Sequence, residues 1–298
     1  MTQLAPVAIF AFNRPNHLKR TIKHLSCNYL AKKTDIHIFC DGFKGTNEKL
    51  KVIKVRKFAN KIKGFKSVKL HLREKNLGLS KNLTSGISFM LKTREKLIIL
   101  EDDLLTDRYF LKYMNDSLNF YEHNDNIVSI HAYLYPIKTY NKNPFFLKGA
   151  DCWGWATWKN KWKIYNENSE SLLKLLISKK RIKEFNFNNS YNYTKMLKDN
   201  FKKKNDSWAI RWYASAFLKN KLTLYPPHSL IKNIGNDGSG SNTKSEKKFD
   251  ITLKNKPIKI KKIIVKENKK VKKEIEDFFN LNLNFFQRIY KFFSFLNL

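Results

Sequence analysis

The sequence predicts an α/β protein: a mixed, mostly parallel sheet flanked by helices, with a basic, aromatic helical tail behind it. Three observations predict this. Short apolar runs alternate with stretches of helical spacing through the first half of the chain. Polar clusters stand where the apolar runs end. Near residue 243 the composition shifts abruptly to lysine. With 298 residues and 42% hydrophobic content, the chain can fill a core, which excludes wholesale disorder.

The elements follow in order. Pro6 to Phe12 is an apolar strand, broken by Asn13-Arg14-Pro15-Asn16. His17 to Leu30 carries Leu18, Ile22, Leu25 and Leu30 at helical spacing. Asp35 to Cys40 alternates as a strand does and ends at the turn pair Asp41-Gly42. Glu48 to Ile62 reads as a helix and Val68 to Leu72 as a strand. Leu79 to Leu91 is a helix for which Ser80 is a candidate N-cap. Leu97 to Leu100 is a buried strand running directly into Glu101-Asp102-Asp103. Asp107 to Tyr121 is again helical, and Ile127 to Ile130 is strand-like. Strands separated by helices in this order form a parallel sheet covered on both faces. Such sheets bind ligands at the carboxyl ends of their strands. Asn13-Arg14, Asp41-Gly42 and the acidic triplet all occupy such ends, so three polar clusters converge on one rim.

Three consecutive acids at the end of a buried strand are costly unless compensated. A hard divalent cation, Mn²⁺ or Mg²⁺, bridging carboxylate to phosphate oxygens is the natural partner. The alternative is an acidic start to the following helix. That accounts for Asp107 but poorly for residues that precede the helix. Arg14, one of nine arginines against 50 lysines, stands where a pyrophosphate would lie, or else it caps a carboxylate. Asp41 either contacts a nucleotide or simply favours its turn. Lys81 either binds phosphate or is a helix-surface lysine.

The segment Leu97 to Asp116 (LIILEDDLLTDRYFLKYMND) resembles the donor-site strand and helix of GT-A-fold glycosyltransferases. The likeness is greatest to N-acetylglucosaminyltransferase I-type enzymes and bacterial surface-polysaccharide glycosyltransferases. Val7 to Arg14, Phe39 to Gly42, Asn76 to Asn82, Gly154 to Trp158, and Asp206-Ser207-Trp208 with Arg211-Trp212 resemble the family's other blocks in order, over roughly residues 5 to 243. The resemblance implies a GT-A fold with a nucleotide diphosphate sugar as donor. It implies Asp103 as the metal ligand, Glu101 and Asp102 against donor sugar and ribose, and Arg14, Asp41, Asn76 and Lys81 around the nucleotide. Residues 1–110 would form the nucleotide-sugar half and 111–243 the acceptor half.

The middle of the chain is rich in aromatics, whose flat faces suit sugar rings. Trp153 and Trp155 are candidate sugar contacts, with burial in the core as the alternative for Trp155. Asp206 is the candidate general base of an inverting transfer, with Asp151 second. Asp206 also stands where an N-cap would, before the helical run Ser207 to Leu218. Gly235, Gly238 and Gly240 suit a lid or ordinary turns, and Asn242 occupies a place where the family often has histidine.

The charge is +34, from 59 Lys and Arg against 25 Asp and Glu. Its lysine dominance, beside 32 asparagines, resembles the drift of an AT-rich genome more than an arginine-based nucleic-acid reader. Nucleic acid is therefore an unlikely partner, though a basic nucleic-acid-binding protein is one alternative. A non-catalytic sugar-binding protein of the same fold is another. Lys244 to Lys273 holds 13 lysines, and an aromatic run from Phe278 follows. This 244–298 tail reads as an interfacial anchor on an anionic membrane surface near lipid-linked or glycan acceptors, or as a helix packed on the domain. The cysteines Cys27, Cys40 and Cys152 show no paired spacing, and neither a signal peptide nor a spanning segment is visible. The expectation is a cytoplasmic enzyme at the inner membrane face, active in lipopolysaccharide, capsule or glycoconjugate synthesis.

Overall fold

The computed structural model describes residues 3–139, 141–238 and 247–281. Its strands are β1 (Val7–Ala11), β2 (Asp35–Cys40), β3 (Ser67–Leu72), β4 (Lys96–Glu101), β5 (Leu104–Thr106), β6 (Ile127–His131), β7 (Phe145–Lys148), β8 (Trp155–Trp158), β9 (Leu222–Tyr225) and β10 (Ile231–Asn233). The helices of the first half are α1 (Pro15–Ser26), α2 (Thr46–Ala59), α3 (Leu79–Thr93) and α4 (Phe110–Phe120). Those of the second are α5 (Lys159–Trp162), α6 (Ser169–Ser178), α7 (Ile182–Phe185), α8 (Tyr193–Phe201), α9 (Trp208–Leu218) and α10 (Lys269–Leu281).

One eight-stranded sheet runs in the order β3-β2-β1-β4-β8-β6-β9-β7. The partners β1-β2, β2-β3, β1-β4 and β6-β9 are parallel, whereas β8 and β7 run against their neighbours. The sheet is thus mixed and mostly parallel, and it continues through both expected halves. Its inner strands are apolar on both faces because both faces are covered. Val7, Ile9, Ile36, Ile38, Ile98 and Leu100 face one core cluster. Their alternates Ala8, Phe10, Phe39, Leu97 and Ile99 face another, shared with Leu83 and Ile87 of α3 and Trp208 and Trp212 of α9. The chain leaves β1 for β2 and β3 at one edge, then returns to β4 on the other side of β1. The β1/β4 boundary is therefore a switch point, where a crevice opens at the strand ends.

One expected cap and one expected helix start are corrected. Gly78, at φ +78°, caps α3, and Ser80 lies inside the helix. Only a glycine adopts that φ without strain. Helix α4 begins at Phe110 rather than Asp107. Asp107 is fully buried and accepts from the backbone N–H groups of Tyr109 (2.9 Å) and Asn255 (2.7 Å).

The second of those bonds leads to the C-terminal segment, whose described part is built into the domain. Tyr133 Oη donates to the Phe249 carbonyl at 2.8 Å, and Asn268 N–H donates to the Phe146 carbonyl at 2.8 Å. On α10, Val271, Ile275 and Phe279 stand four residues apart and form one buried stripe. That stripe joins Leu172, Leu176, Phe185, Leu197 and Phe217 in a third core cluster. The apolar face of α10 is therefore spent on the protein, and the boundary expected near residue 243 does not separate two packing units. Residues 282–298, which hold most of the aromatic run, lie outside the described residues. Among the described residues, no helix is long and apolar enough to cross a membrane.

Ile275→Ala should lower the unfolding free energy by about 2–5 kcal/mol, the usual range for a buried Ile truncation. Urea denaturation of the full chain measures this; an unchanged midpoint would mean that α10 is not part of the cooperative fold.

Candidate active site

The crevice at the β1/β4 boundary is built around one guanidinium. Arg14 follows β1 directly and reaches across to the residues after β4. Its Nη2 lies 2.5 Å from Asp102 Oδ1 and 2.7 Å from Asp103 Oδ2. The Asp102 backbone is pinned by Thr21 of α1, whose hydroxyl donates to its carbonyl at 2.8 Å. Burial would lower the Arg14 pKa, but the Asp102 and Asp103 charges outweigh it and hold the group above its ordinary value. Burial raises Glu101 to about 8, with repulsion from Asp103 and Asp102 adding to it. Burial likewise raises Asp102 to about 6, against the pull of Arg14. Even with Glu101 protonated near neutral pH, Asp102 and Asp103 outnumber the one guanidinium, and a divalent metal fits that excess. Among the described residues no group of three or more His, Cys, Asp or Glu forms a ready-made metal cage. Mg²⁺-type ions nonetheless use one or two carboxylates plus substrate phosphates. Of the two carboxylates paired with Arg14, Asp103 is the more exposed, with 13% of its side chain accessible against 4% for Asp102.

The loop after β10 closes over this pair. Ile234 N–H donates to the Asp103 carbonyl at 2.9 Å. A Cβ on Gly235 would stand 2.0 Å from Asp103 Oδ2, so only glycine fits there. Two residues on, Asp237 Oδ2 lies 3.1 Å from His17 Nε2 on α1. Gly240 and Asn242 fall outside the described residues.

Asp41 is buried, and its oxygens accept from the N–H groups of Gly42 (2.8 Å), Leu77 (2.9 Å) and Gly78 (3.0 Å). Asn76 Nδ2 donates to Asp41 Oδ2 at 3.2 Å and to the Gly42 carbonyl at 2.7 Å. Asp41 and Asn76 therefore tie the β3–α3 loop to the end of β2. They shape the rim instead of presenting free groups to a ligand. Burial raises the Asp41 pKa, opposed by the same N–H donors. Lys81 is exposed on the first turn of α3. Arg73 went unremarked in the sequence because a lone arginine after a strand carries no pattern. It donates to Asn82 Oδ1 at 3.0 Å and to Ser85 Oγ at 3.2 Å, beside the same loop.

Asp206 does not cap α9. Ser207 does, its hydroxyl accepting from Ile210 N–H. Asp206 is thus left with 64% of its side chain exposed, 3.6 Å from Arg211. Its Oδ2 lies 3.7 Å from where a Cβ of Gly78 would be, which places it beside the β3–α3 loop.

Asp151 is more committed. Its Oδ1 accepts from Cys152 N–H at 2.8 Å and its Oδ2 from Tyr135 Oη at 3.1 Å. His131, wholly buried, stands 3.6 Å away, and burial lowers its pKa to about 4. Cys152 lies between Asp151 and the acidic triplet: Asp151, Glu101 and Asp103 all act electrostatically on its thiol, after burial. Trp153 is half-buried, edge-on to Tyr133 at 4.8 Å and to Phe249 at 5.8 Å. Trp155 is corrected to a core residue. It is fully buried and stacks on Trp208 at 5.5 Å, because β8 lies inside the sheet between β4 and β6. No sugar can reach it.

No protein-family model matches this sequence, and no curated protein matches it. Several solved structures resemble the chain at a distance. A mannosyltransferase, PcManGT from Pyrobaculum calidifontis, solved in complex with GDP-Man and Mn²⁺, is 13% identical over 45% of this chain and 36% of its own, with a TM-score of 0.33. Residues 1–349 of TarS from S. aureus are 11% identical over 78% of this chain and 61% of that one, with a TM-score of 0.39. A cytidylyltransferase from Leptospira borgpetersenii is 11% identical over 54% and 63%, with a TM-score of 0.33. The chain spans less than two thirds of each of these structures. Likenesses this distant leave any functional reading to the geometry of the site itself.

The raised carboxylates have a consequence for stability. An unfolded Glu101 loses its proton near 4.5, whereas the folded chain keeps it to about 8. The folded state therefore binds more protons in that window, and stability falls as pH rises through it. Glu101→Gln should flatten that decline and raise the melting temperature at pH 8. Thermal melts from pH 4.5 to 8 check this, and parallel curves for both proteins would count against it.

Proposed function

We propose that this chain is a nucleotide-sugar-dependent glycosyltransferase. It would move a hexose or N-acetylhexosamine from a nucleoside diphosphate sugar to a glycan acceptor, with inversion, in bacterial surface-polysaccharide or glycoconjugate synthesis. One observation carries the reading: a half-buried arginine holds two carboxylates across the switch point of a mostly parallel sheet. That crevice supplies a cation for a diphosphate and acids for a metal or for sugar hydroxyls. The sequence resemblance to GT-A enzymes supports the sugar, the inversion and the pathway.

Asp103 would hold Mn²⁺ or Mg²⁺, which when bound stabilises charge on a departing diphosphate. Arg14 orients the diphosphate at the strand ends and shares in neutralising it. Asp102, locked by Arg14 and by the Phe12 N–H at 3.4 Å, keeps the guanidinium in place. The Gly235 loop lies over the crevice and limits access of water. Asp206 serves as the base. It takes the proton of the acceptor hydroxyl as that oxygen bonds to the anomeric carbon. The bond from that carbon to the diphosphate oxygen breaks, and the nucleoside diphosphate leaves with the electron pair. Asp206 suits this better than Asp151, because 64% of its side chain is exposed against 26% for Asp151, each of whose oxygens already accepts one hydrogen bond.

Nucleoside diphosphate release, measured against a panel of nucleotide sugars with Mn²⁺, tests the reading. Asp103→Ala should abolish metal-stimulated release. Asp206→Asn should cut kcat by about 10²–10⁴, the usual range for a general base, with donor affinity retained. Donor bound but never turned over would instead favour a non-catalytic sugar-binding protein.

A further inference from the structure

A cavity of about 170 Å³ lies beside Asp151 and Cys152. Its walls are ring faces from Tyr133, Tyr135, Trp153, Tyr193, Phe249 and Phe279. Two of these, Phe249 and Phe279, come from the C-terminal segment, so the segment completes the cavity. Its lining residues Ala150 to Trp153 lie between β7 and β8, and Cys152 is within electrostatic reach of Glu101 and Asp103.

Its charge is unlike that of the rest of the protein. Fifty-nine of 298 residues are Lys or Arg, yet among the described residues none lines this cavity. Asp151 is its one formally charged lining residue among those described. His131, held neutral behind Asp151, does not balance it. The Tyr133 hydroxyl is spent on the Phe249 carbonyl and that of Tyr135 on Asp151. The lining thus offers a ligand aromatic rings, phenol hydroxyls and the Asp151 carboxylate, each of whose oxygens accepts one protein hydrogen bond and keeps a lone pair. A pyranose ring matches this, with its C–H face on the aromatics and a hydroxyl or amine toward Asp151. A carboxylate or phosphate would meet a like charge in an apolar enclosure, with no cation to pair with.

We infer that this cavity is an acceptor subsite selecting a neutral or amino-bearing sugar ring and rejecting acidic ones. The inference rests on the glycosyltransferase reading for the word acceptor. Its test needs no donor. Saturation-transfer NMR on the full chain would compare methyl glycosides of N-acetylglucosamine, glucosamine and glucuronic acid. The first two should bind, and the glucuronide should bind at least about tenfold more weakly. Asp151→Asn should relieve most of that discrimination, and Trp153→Phe should weaken all three while preserving an aromatic wall. Equal or tighter glucuronide binding would overturn the inference. So would binding of decanol with no glycoside binding, the mark of a lipid-chain pocket. Donor turnover, assayed separately, distinguishes failure of this inference from failure of the enzyme reading.

Discussion

The ion pairs from Arg14 to Asp102 and Asp103 are the constraint on which the functional end of this molecule depends. Taken alone, a run of three acids at the end of a buried strand would be driven to protonate or to unfold the strand end. The guanidinium offsets part of that cost, while burial still holds Glu101 and Asp102 above the usual carboxylate range. It also joins the strand ends on either side of the switch point, so the crevice cannot widen without breaking a buried pair. Breaking one partner of such a pair is far more costly than never having had it, because a charge is left uncompensated. The loop after β10 is drawn into the same arrangement, since Gly235 packs directly on the Asp103 carboxylate.

A second set of interactions shapes the rim without facing a ligand. Asp41 and Asn76 bind the β3–α3 loop to the end of β2, and Ser207 caps α9 beside that loop. The result is a division of labour among acids. Asp41 is consumed by backbone amides and Asp102 by arginine, while Asp151 accepts one bond on each oxygen, from Tyr135 and Cys152. Asp206 alone of these four stays largely exposed. A carboxylate can act as base only where its lone pairs are available, so the hydrogen-bond partners of each acid sort the candidates.

The large positive charge also acquires a location. Among the described residues none of it lines the aromatic cavity. The C-terminal segment, whose lysines contribute heavily to the charge, turns its apolar residues inward, with Ile258, Val271, Ile275 and Phe279 buried. A long basic stretch and an amphipathic helix would look the same in sequence whether the apolar stripe met lipid or protein. Here the described part meets protein.

Much of the fold was legible without coordinates because its signals are local. Strand and helix order through β4, the acidic triplet at a strand end and Arg14 at another follow from hydrophobic period and from turn residues. What the sequence by itself determined is therefore the first half of the sheet and the position of its polar rim. Tertiary structure decided the rest, because the deciding contacts join residues far apart in the chain. Trp155 became core because β8 inserts between β4 and β6, a pairing that no local pattern announces. Asp41 became a tie because the Leu77 and Gly78 amides, 36 and 37 residues on, reach its oxygens. Asp206 was released because its neighbour Ser207 took the cap. The aromatic cavity exists only because residues 249 and 279 fold back over residues 133 to 153, a closure set by the shape of the core and not by any short stretch of sequence.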